Sequence, residues 1–259
     1  MDLTNKNVVI TGASSGIGLA ILQELLDKGC KIVACSRHPE EIKIKNRKLF
    51  ITKCDVSDKK QLDDLFDFAL KKLKNIDLFI SNAGFAYYEK LQKPDYKHID
   101  SIFKTNLYSC IYCSEKMKQL KGEEAYNFVV TASAMAELSL PGYALYSSSK
   151  AAVKGFADAY RYELNDNQHF EVIYPIATKT KFFNTAANNT PVAWPRQTPK
   201  QVATKVIKGI EEDKKHIYPS LVFRITSIIN RICPLILHTY VLINNEIFKK
   251  WQLKEQQHD

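Results

Sequence analysis

Val8-Val9-Ile10-Thr11-Gly12-Ala13-Ser14-Ser15-Gly16-Ile17-Gly18 is the stretch that decides the fold. Its opening run is apolar and β-branched, the composition of a buried strand. The glycines follow at once, and Leu19-Ala-Ile-Leu-Gln-Glu-Leu-Leu26 then carries apolar side chains at helical spacing up to Gly29, a residue suited to closing a helix. Lys31-Ile-Val-Ala-Cys-Ser36-Arg37 is a second apolar strand that ends in a hydroxyl and a cation. Residues 7–37 therefore read as a β-α-β unit with a glycine-rich first turn. In that context Gly12, Ser14, Ser15, Gly16, Ile17 and Gly18 are expected to hold a dinucleotide pyrophosphate. Backbone N–H groups at a helix N-terminus point at the anion, and glycine lets the backbone come close to it.

Working outward, the alternation continues. Leu49–Cys54 is a strand, and Asp55-Val56-Ser57-Asp58 supplies a turn and an N-cap for an amphipathic helix over 59–73. Ile76–Ser81 is a strand ending in Asn82-Ala83-Gly84. A long helix is expected from Asp95 to Leu120 with Asn106 near its middle. Tyr126–Ala132 is the strand before Ser133, residues 143–166 form the next helix, and Phe170–Tyr174 is a strand halted by Pro175. This alternation predicts an α/β fold: a Rossmann-like, doubly wound, mostly parallel sheet with helices on both faces. Ligands of such sheets bind beyond the carboxyl ends of the strands, so the glycine turn, Asn82–Gly84, Ser133 and Pro175 should line one crevice. One domain is expected over residues 1–219, with 220–259 as a C-terminal helical extension packed on it.

Composition excludes several other classes. The 259 residues are 45% hydrophobic, ample for a core, and the formal charge is +9. Lysine and arginine are spread along the chain among carboxylates, which reads as a solvated surface and not as a nucleic-acid site. Six cysteines show no disulfide-framework spacing, and Cys110-Ile-Tyr-Cys113, alone in an apparent helix, reads as buried thiols with no metal. Met1-Asp-Leu-Thr-Asn-Lys-Asn leads directly into a strand with no signal-peptide pattern, so a cytoplasmic location is expected.

The chemistry centres on Tyr146-Ser-Ser-Ser-Lys150. Four residues apart on a helix, the phenol and the ammonium share one face. At ~4 Å and an effective dielectric of ~20 the cation favours the phenolate by up to ~4 kcal/mol. A tyrosine starting near ~10 can then come down by about 2–3 units at most, toward the range where a general acid or base works best.

Thr11-Gly12-x-x-x-Gly16-x-Gly18, Asp55-Val56, Asn82-Ala83-Gly84, Asn106, Ser133 and Tyr146-x-x-x-Lys150 stand in register, and in this the chain resembles the short-chain dehydrogenase/reductase family over about residues 5–180. The resemblance implies that Tyr146 exchanges a proton with the substrate oxygen. Lys150 would bind the nicotinamide ribose and lower the tyrosine pKa, and Ser133 would hydrogen-bond the substrate oxygen. Asn106 would hold a water that links Lys150 to bulk solvent. Asp55 and Val56 would face the adenine, with Asn82, Ala83 and Gly84 beside the adenosine half. Pro175, Thr178 and Thr180 would lie at the nicotinamide end. NAD-preferring relatives place a carboxylate at the end of the second strand, whereas Ser36-Arg37 suits the 2′-phosphate of NADP(H). NADP(H) is therefore the expected cofactor, with reduction of a carbonyl as the expected direction and a homo-oligomer as the expected assembly.

The chain departs from the family after Pro175, where Ile176 replaces the usual glycine. Aromatic residues in 181–198, where the family carries a mobile lid, fit a hydrophobic small-molecule substrate or simply a packed lid. The tail beyond Pro219 is rich in Leu, Ile and Phe with scattered Arg and Lys. Its longest run free of Lys, Arg, Asp and Glu, Ile232–Asn245, has fourteen residues, too few to span a bilayer. Residues 220–252 can instead pack within the protein and cover the substrate pocket, make a subunit contact, or lie on a membrane surface as a basic amphipathic segment. The alternative function is a non-catalytic, dinucleotide-binding or membrane-surface scaffold of the same fold.

Overall fold

Asn7–Thr11 (β1) pairs in parallel with Lys31–Ser36 (β2) on one side and with Leu78–Ser81 (β4) on the other, and this places the switch point of the sheet. Leu49–Lys53 (β3), Tyr126–Thr131 (β5), Gln168–Ile173 (β6) and the short His216–Ile217 (β7) complete seven parallel strands in the order β3-β2-β1-β4-β5-β6-β7. The computed structural model describes residues 1–255, so the last four residues of the expected 220–259 extension lie outside the described residues.

Helices cover both faces because strand side chains alternate. Val8 and Ile10 point toward Gly16–Asp27 (α1) and Pro199–Glu211 (α6), in a cluster with Ile21, Leu25, Val206 and Ile210. Val9 points the other way, to the core formed with Lys59–Leu73 (α2), Ser109–Lys121 (α4) and Ala144–Tyr160 (α5). Asp58 caps α2 as expected, its side chain accepting from the Gln61 N–H.

The long helix expected over Asp95–Leu120 is present and runs unbroken from Tyr96 to Lys121, but one of its turns is not α-helical. Tyr96–Phe103 (α3) passes through one π-helical turn, Lys104–Tyr108, before α4 begins. The wider turn carries Asn106 into the interior, where it is 2% exposed. Such turns recur at functional sites, and they leave the apolar periodicity almost unchanged, so the sequence gives no sign of them. The helix expected over 143–166 ends earlier, at Tyr160, in a 3₁₀ turn over Arg161–Glu163.

A third apolar cluster lies above the carboxyl edge of the sheet, with Tyr88, Leu140, Tyr143, Tyr146 and Phe183 at its centre. The tail folds into Leu221–Asn230 (α7) and Leu235–Glu255 (α8). Phe248 and Trp251 of α8 pack on Tyr88, with ring centroids 5.4 and 4.8 Å away, and the Trp251 indole donates to the Asn188 carbonyl at 3.1 Å.

Candidate active site

All the parallel strands end on one edge, and there the residues singled out in the sequence gather around a cleft of about 660 Å³. Gly12, Ser14, Ser15, Gly16, Ile17, Gly18, Ser36, Arg37, Asp55 and Val56 line one end. Ser133, Tyr146 and Lys150 line the other, with Asn82, Ala83 and Gly84 between, and Pro175, Thr178 and Thr180 on the rim. Asn106 does not line the cleft but lies behind it.

Steric limits explain the glycine turn. Gly12 has φ +64°, and a Cβ there would stand 2.8 Å from the Ala83 Cα. A Cβ on Gly18 would come within 2.2 Å of the Gly12 carbonyl oxygen and 2.4 Å of the Asn82 amide nitrogen. Asn82 knits this corner together. Its Nδ2 donates to the carbonyls of Thr11 and Gly12 at 3.2 and 3.1 Å, and its Oδ1 accepts from the Thr131 hydroxyl at 3.1 Å. The Thr11 hydroxyl oxygen accepts in turn from the N–H groups of Asn82 and Ala83. The ends of β1, β4 and β5 are thereby fixed as one wall. At the end of β2, buried Ser36 accepts from the His38 N–H at 2.9 Å, while Arg37 stands exposed at the rim. The Asp55 Oδ1 is occupied by the N–H and hydroxyl of Ser57.

Tyr146 and Lys150 sit one turn apart on α5, 7% and 3% exposed. The lysine Nζ donates to the Thr131 carbonyl at 2.8 Å and lies 5.9 Å from the tyrosine ring centroid. Burial pushes the Tyr146 phenol up to about 12, and the neighbouring Ser133 hydroxyl opposes this only weakly. Burial also pushes the Lys150 ammonium down to about 8. The expected fall of the phenol toward neutrality is thus reversed in this structure. Loss of solvation outweighs an ammonium whose hydrogen bond goes to a backbone carbonyl. Near pH 7 the site holds a protonated phenol beside a mostly protonated lysine.

A buried cation of this kind costs stability. Because the Lys150 pKa is lowered in the fold, the unfolded chain binds that proton more tightly, and stability rises as pH goes from about 8 toward 10.5. Lys150→Met is therefore expected to stabilise the fold by about 1–2 kcal/mol at pH 7, with the advantage shrinking by pH 10. Thermal melts of both proteins at the two pH values check this. A variant less stable at pH 7 would contradict it.

Asn106 acts as a brace. Its Oδ1 accepts from the Phe85 N–H at 3.1 Å, and its Nδ2 donates to the Phe85 carbonyl at 2.9 Å and the Ser149 hydroxyl at 3.0 Å. Ser149 donates on to the Tyr146 carbonyl at 2.8 Å. The loop after β4 is thus tied to the first turn of α5. Gly84 leaves the room this needs, since a Cβ there would lie 3.0 Å from the Asn106 Oδ1 and 3.3 Å from the Lys150 Nζ.

Thr131 and Ser149 were not foreseen from the sequence, and Thr11 stood there only as the head of the glycine motif. Their signal was present: two hydroxyls closing apolar strands, and one inside the Tyr-x-x-x-Lys spacing itself. The tail contributes Val222, Phe223, Leu237 and Tyr240 to the lining, beside Leu138, Tyr143, Phe182 and Trp194. No pattern marks them. Ile176 lines the cleft as well, where the smaller glycine was the usual residue.

A family model described as short chain dehydrogenase matches residues 6–191. The chain belongs to the short-chain dehydrogenase family. Among its relatives, an uncharacterized oxidoreductase of Schizosaccharomyces pombe is 28% identical over 174 residues, 66% of this chain and 60% of that protein. The chain thus spans less than two thirds of that relative's length. The 3-ketodihydrosphingosine reductase of Bos taurus is 28% identical over 236 residues, 81% of this chain and 70% of the relative. In fold, this short-chain dehydrogenase is similar to a Burkholderia cenocepacia short chain dehydrogenase solved with NADP. The TM-score is 0.80 at 20% identity, covering 93% of this chain and 99% of that one.

Proposed function

We propose that this short-chain dehydrogenase is an NADP(H)-dependent oxidoreductase that interconverts a carbonyl and an alcohol and works as a reductase on an apolar substrate. The observation that carries the reading is that Tyr146, Ser133 and Lys150 line the same cleft as the Gly12–Gly18 turn. A phenol held up near 12 by burial keeps its proton at neutral pH, as a donor to a nascent alkoxide must. Ser133 beside it supplies a second hydroxyl for the substrate oxygen. Lys150 places a cation under the phenol, which favours the phenolate left after transfer and so lowers the barrier for giving up the proton. Asn106 and Ser149 hold α5 and the loop after β4 in fixed register.

The cleft fits the cofactor. The closely packed Gly12–Gly18 turn leaves backbone N–H groups free of side-chain cover at the start of α1, the place for a pyrophosphate. Asp55, Val56, Asn82, Ala83 and Gly84 line the space for the adenosine half, and Pro175, Thr178 and Thr180 the nicotinamide end. The bound nicotinamide supplies or accepts the hydride. Ser36 and the exposed Arg37 support a 2′-phosphate, whose charge the guanidinium matches, and β2 itself ends without a carboxylate, although Glu41 lines the cleft nearby. Arg37→Ala is expected to weaken NADPH about tenfold and to leave NADH nearly unchanged, one charge-assisted contact being worth about 1.4 kcal/mol. Equal effects on both dinucleotides, measured by titration, would remove Arg37 from this role.

The apolar lining around Leu138, Tyr143, Phe182 and Trp194 supports an apolar substrate. The bovine relative, a 3-ketodihydrosphingosine reductase, supports the reductive direction. A homo-oligomer and a cytoplasmic location complete the reading. Light scattering tests the first and fractionation the second. The activity itself is tested by NADPH consumption with ketones of increasing chain length. Rates should rise with length for this chain, and a rate that falls with length would contradict an apolar substrate.

A further inference from the structure

The tail helix α7 is amphipathic in the wrong sense for packing on a protein core. Leu221, Val222, Ile225, Ile228, Ile229 and Ile232 recur at helical spacing along one side and its following turn, and all are exposed, Ile232 at 88%. The inward side is held by Phe223 and by Ser227, whose hydroxyl donates to Glu137 at 2.5 Å. Tyr218 donates to the other oxygen of the same carboxylate at 2.7 Å. Polar latching thus turns the apolar side outward. The tip between the helices continues it, with Leu235 68% exposed. A contiguous apolar face of this kind marks a docking surface.

Charge and position identify what docks there. From Lys214 to Asn245 the chain has no Asp or Glu, while Arg224 and Arg231 flank the apolar stripe. A second copy would set this carboxylate-free surface against itself, like charge against like. Anionic lipid meets both features, taking the apolar side chains among its acyl chains and the arginines at its headgroups. Among the described residues no helix is long and apolar enough to cross a membrane. The substrate end of the cleft opens on the same side. Val222 belongs both to the exposed stripe and to the cleft lining, and Thr226, Leu237 and Tyr240 continue that lining from the same helix pair.

We propose that α7 and the tip joining it to α8 form a face that docks on an anionic bilayer, and that the apolar substrate enters the cleft from the lipid between α7 and α8. The second half rests on the reductase reading above; the first does not. The test uses the full chain with vesicles of phosphatidylcholine containing phosphatidylglycerol. Wild type should co-sediment with them at low salt, and Ile228→Gln/Ile232→Gln/Leu235→Gln should bind roughly a hundredfold more weakly. None of these three side chains lines the cleft. The variant should keep NADPH binding and reduction of a short, water-soluble ketone, while reduction of a long-chain ketone carried in the vesicles falls. Equal sedimentation of both proteins, or none of wild type, overturns the docking face. A wild-type dimer that the substitutions dissolve also overturns it, by placing a second copy there. Vesicle binding without NADPH turnover of either ketone supports the docking face and overturns lipid entry together with the reductase reading.

Discussion

Tyr146→Phe is expected to lower turnover by about 10²–10⁴-fold, the usual worth of a positioned general acid, with NADPH affinity held within about twofold. The substitution removes one hydroxyl and little else. The ring keeps its neighbours, Tyr143 and Phe182, with centroids 6.2 and 5.7 Å away. A phenylalanine there no longer buries a phenol oxygen, so the fold should be as stable as wild type or slightly more so. Steady-state kinetics beside a thermal melt separate loss of chemistry from loss of structure. Unchanged turnover would mean that the proton comes from elsewhere and would end the role given to Tyr146.

Gly18→Ala should cost about 3 kcal/mol or more of stability and weaken NADPH by roughly tenfold to a hundredfold. One added methyl has this leverage because its atoms already have neighbours on every side. The Cβ would sit 2.2 Å from the Gly12 carbonyl oxygen and 2.4 Å from the Asn82 amide nitrogen, and neither can retreat freely. Gly12 is backbone, and Asn82 is tied to Thr11, Gly12 and Thr131. Relief of the clash would shift the start of α1 away from Asn82 and spoil the turn proposed to receive the pyrophosphate. Gly155→Ala is the matched control. It lies within α5 with nothing within 4 Å of the added Cβ, so alanine should stabilise by about 0.5–1 kcal/mol. A Gly18→Ala protein that melts and binds like wild type would show that the glycine is not sterically required.

The sheet was legible because its signals are local. An apolar run, a glycine turn and a helical repeat within residues 7–37 are enough to set a β-α-β unit, and a parallel sheet then brings all strand ends to one edge. Hence the glycine turn, Asn82–Gly84, Ser133 and Pro175 could be placed in one crevice from strand ends, while Tyr146 and Lys150 joined them through the resemblance. Tertiary packing decides what the sequence left open. The π turn that buries Asn106 adds to one turn of a helix whose apolar repeat runs on regardless. The upward shift of the Tyr146 pKa comes from elements packed around α5, against the downward shift that its spacing to Lys150 suggested. The outward apolar side of α7 depends on Glu137, far away in the chain, which holds Ser227 inward. A periodicity analysis reads such a helix as amphipathic but cannot say which side faces the core.

The central claim is a dinucleotide site built for NADP(H) within reach of Tyr146. Its most direct test is quenching of tryptophan emission, with Trp194 on the cleft wall as reporter, as the purified chain is titrated with NADPH and separately with NADH. Saturable binding of both is expected, with NADPH about tenfold tighter. Preference for NADH would contradict the part assigned to Ser36 and Arg37, and binding of neither would contradict the oxidoreductase itself.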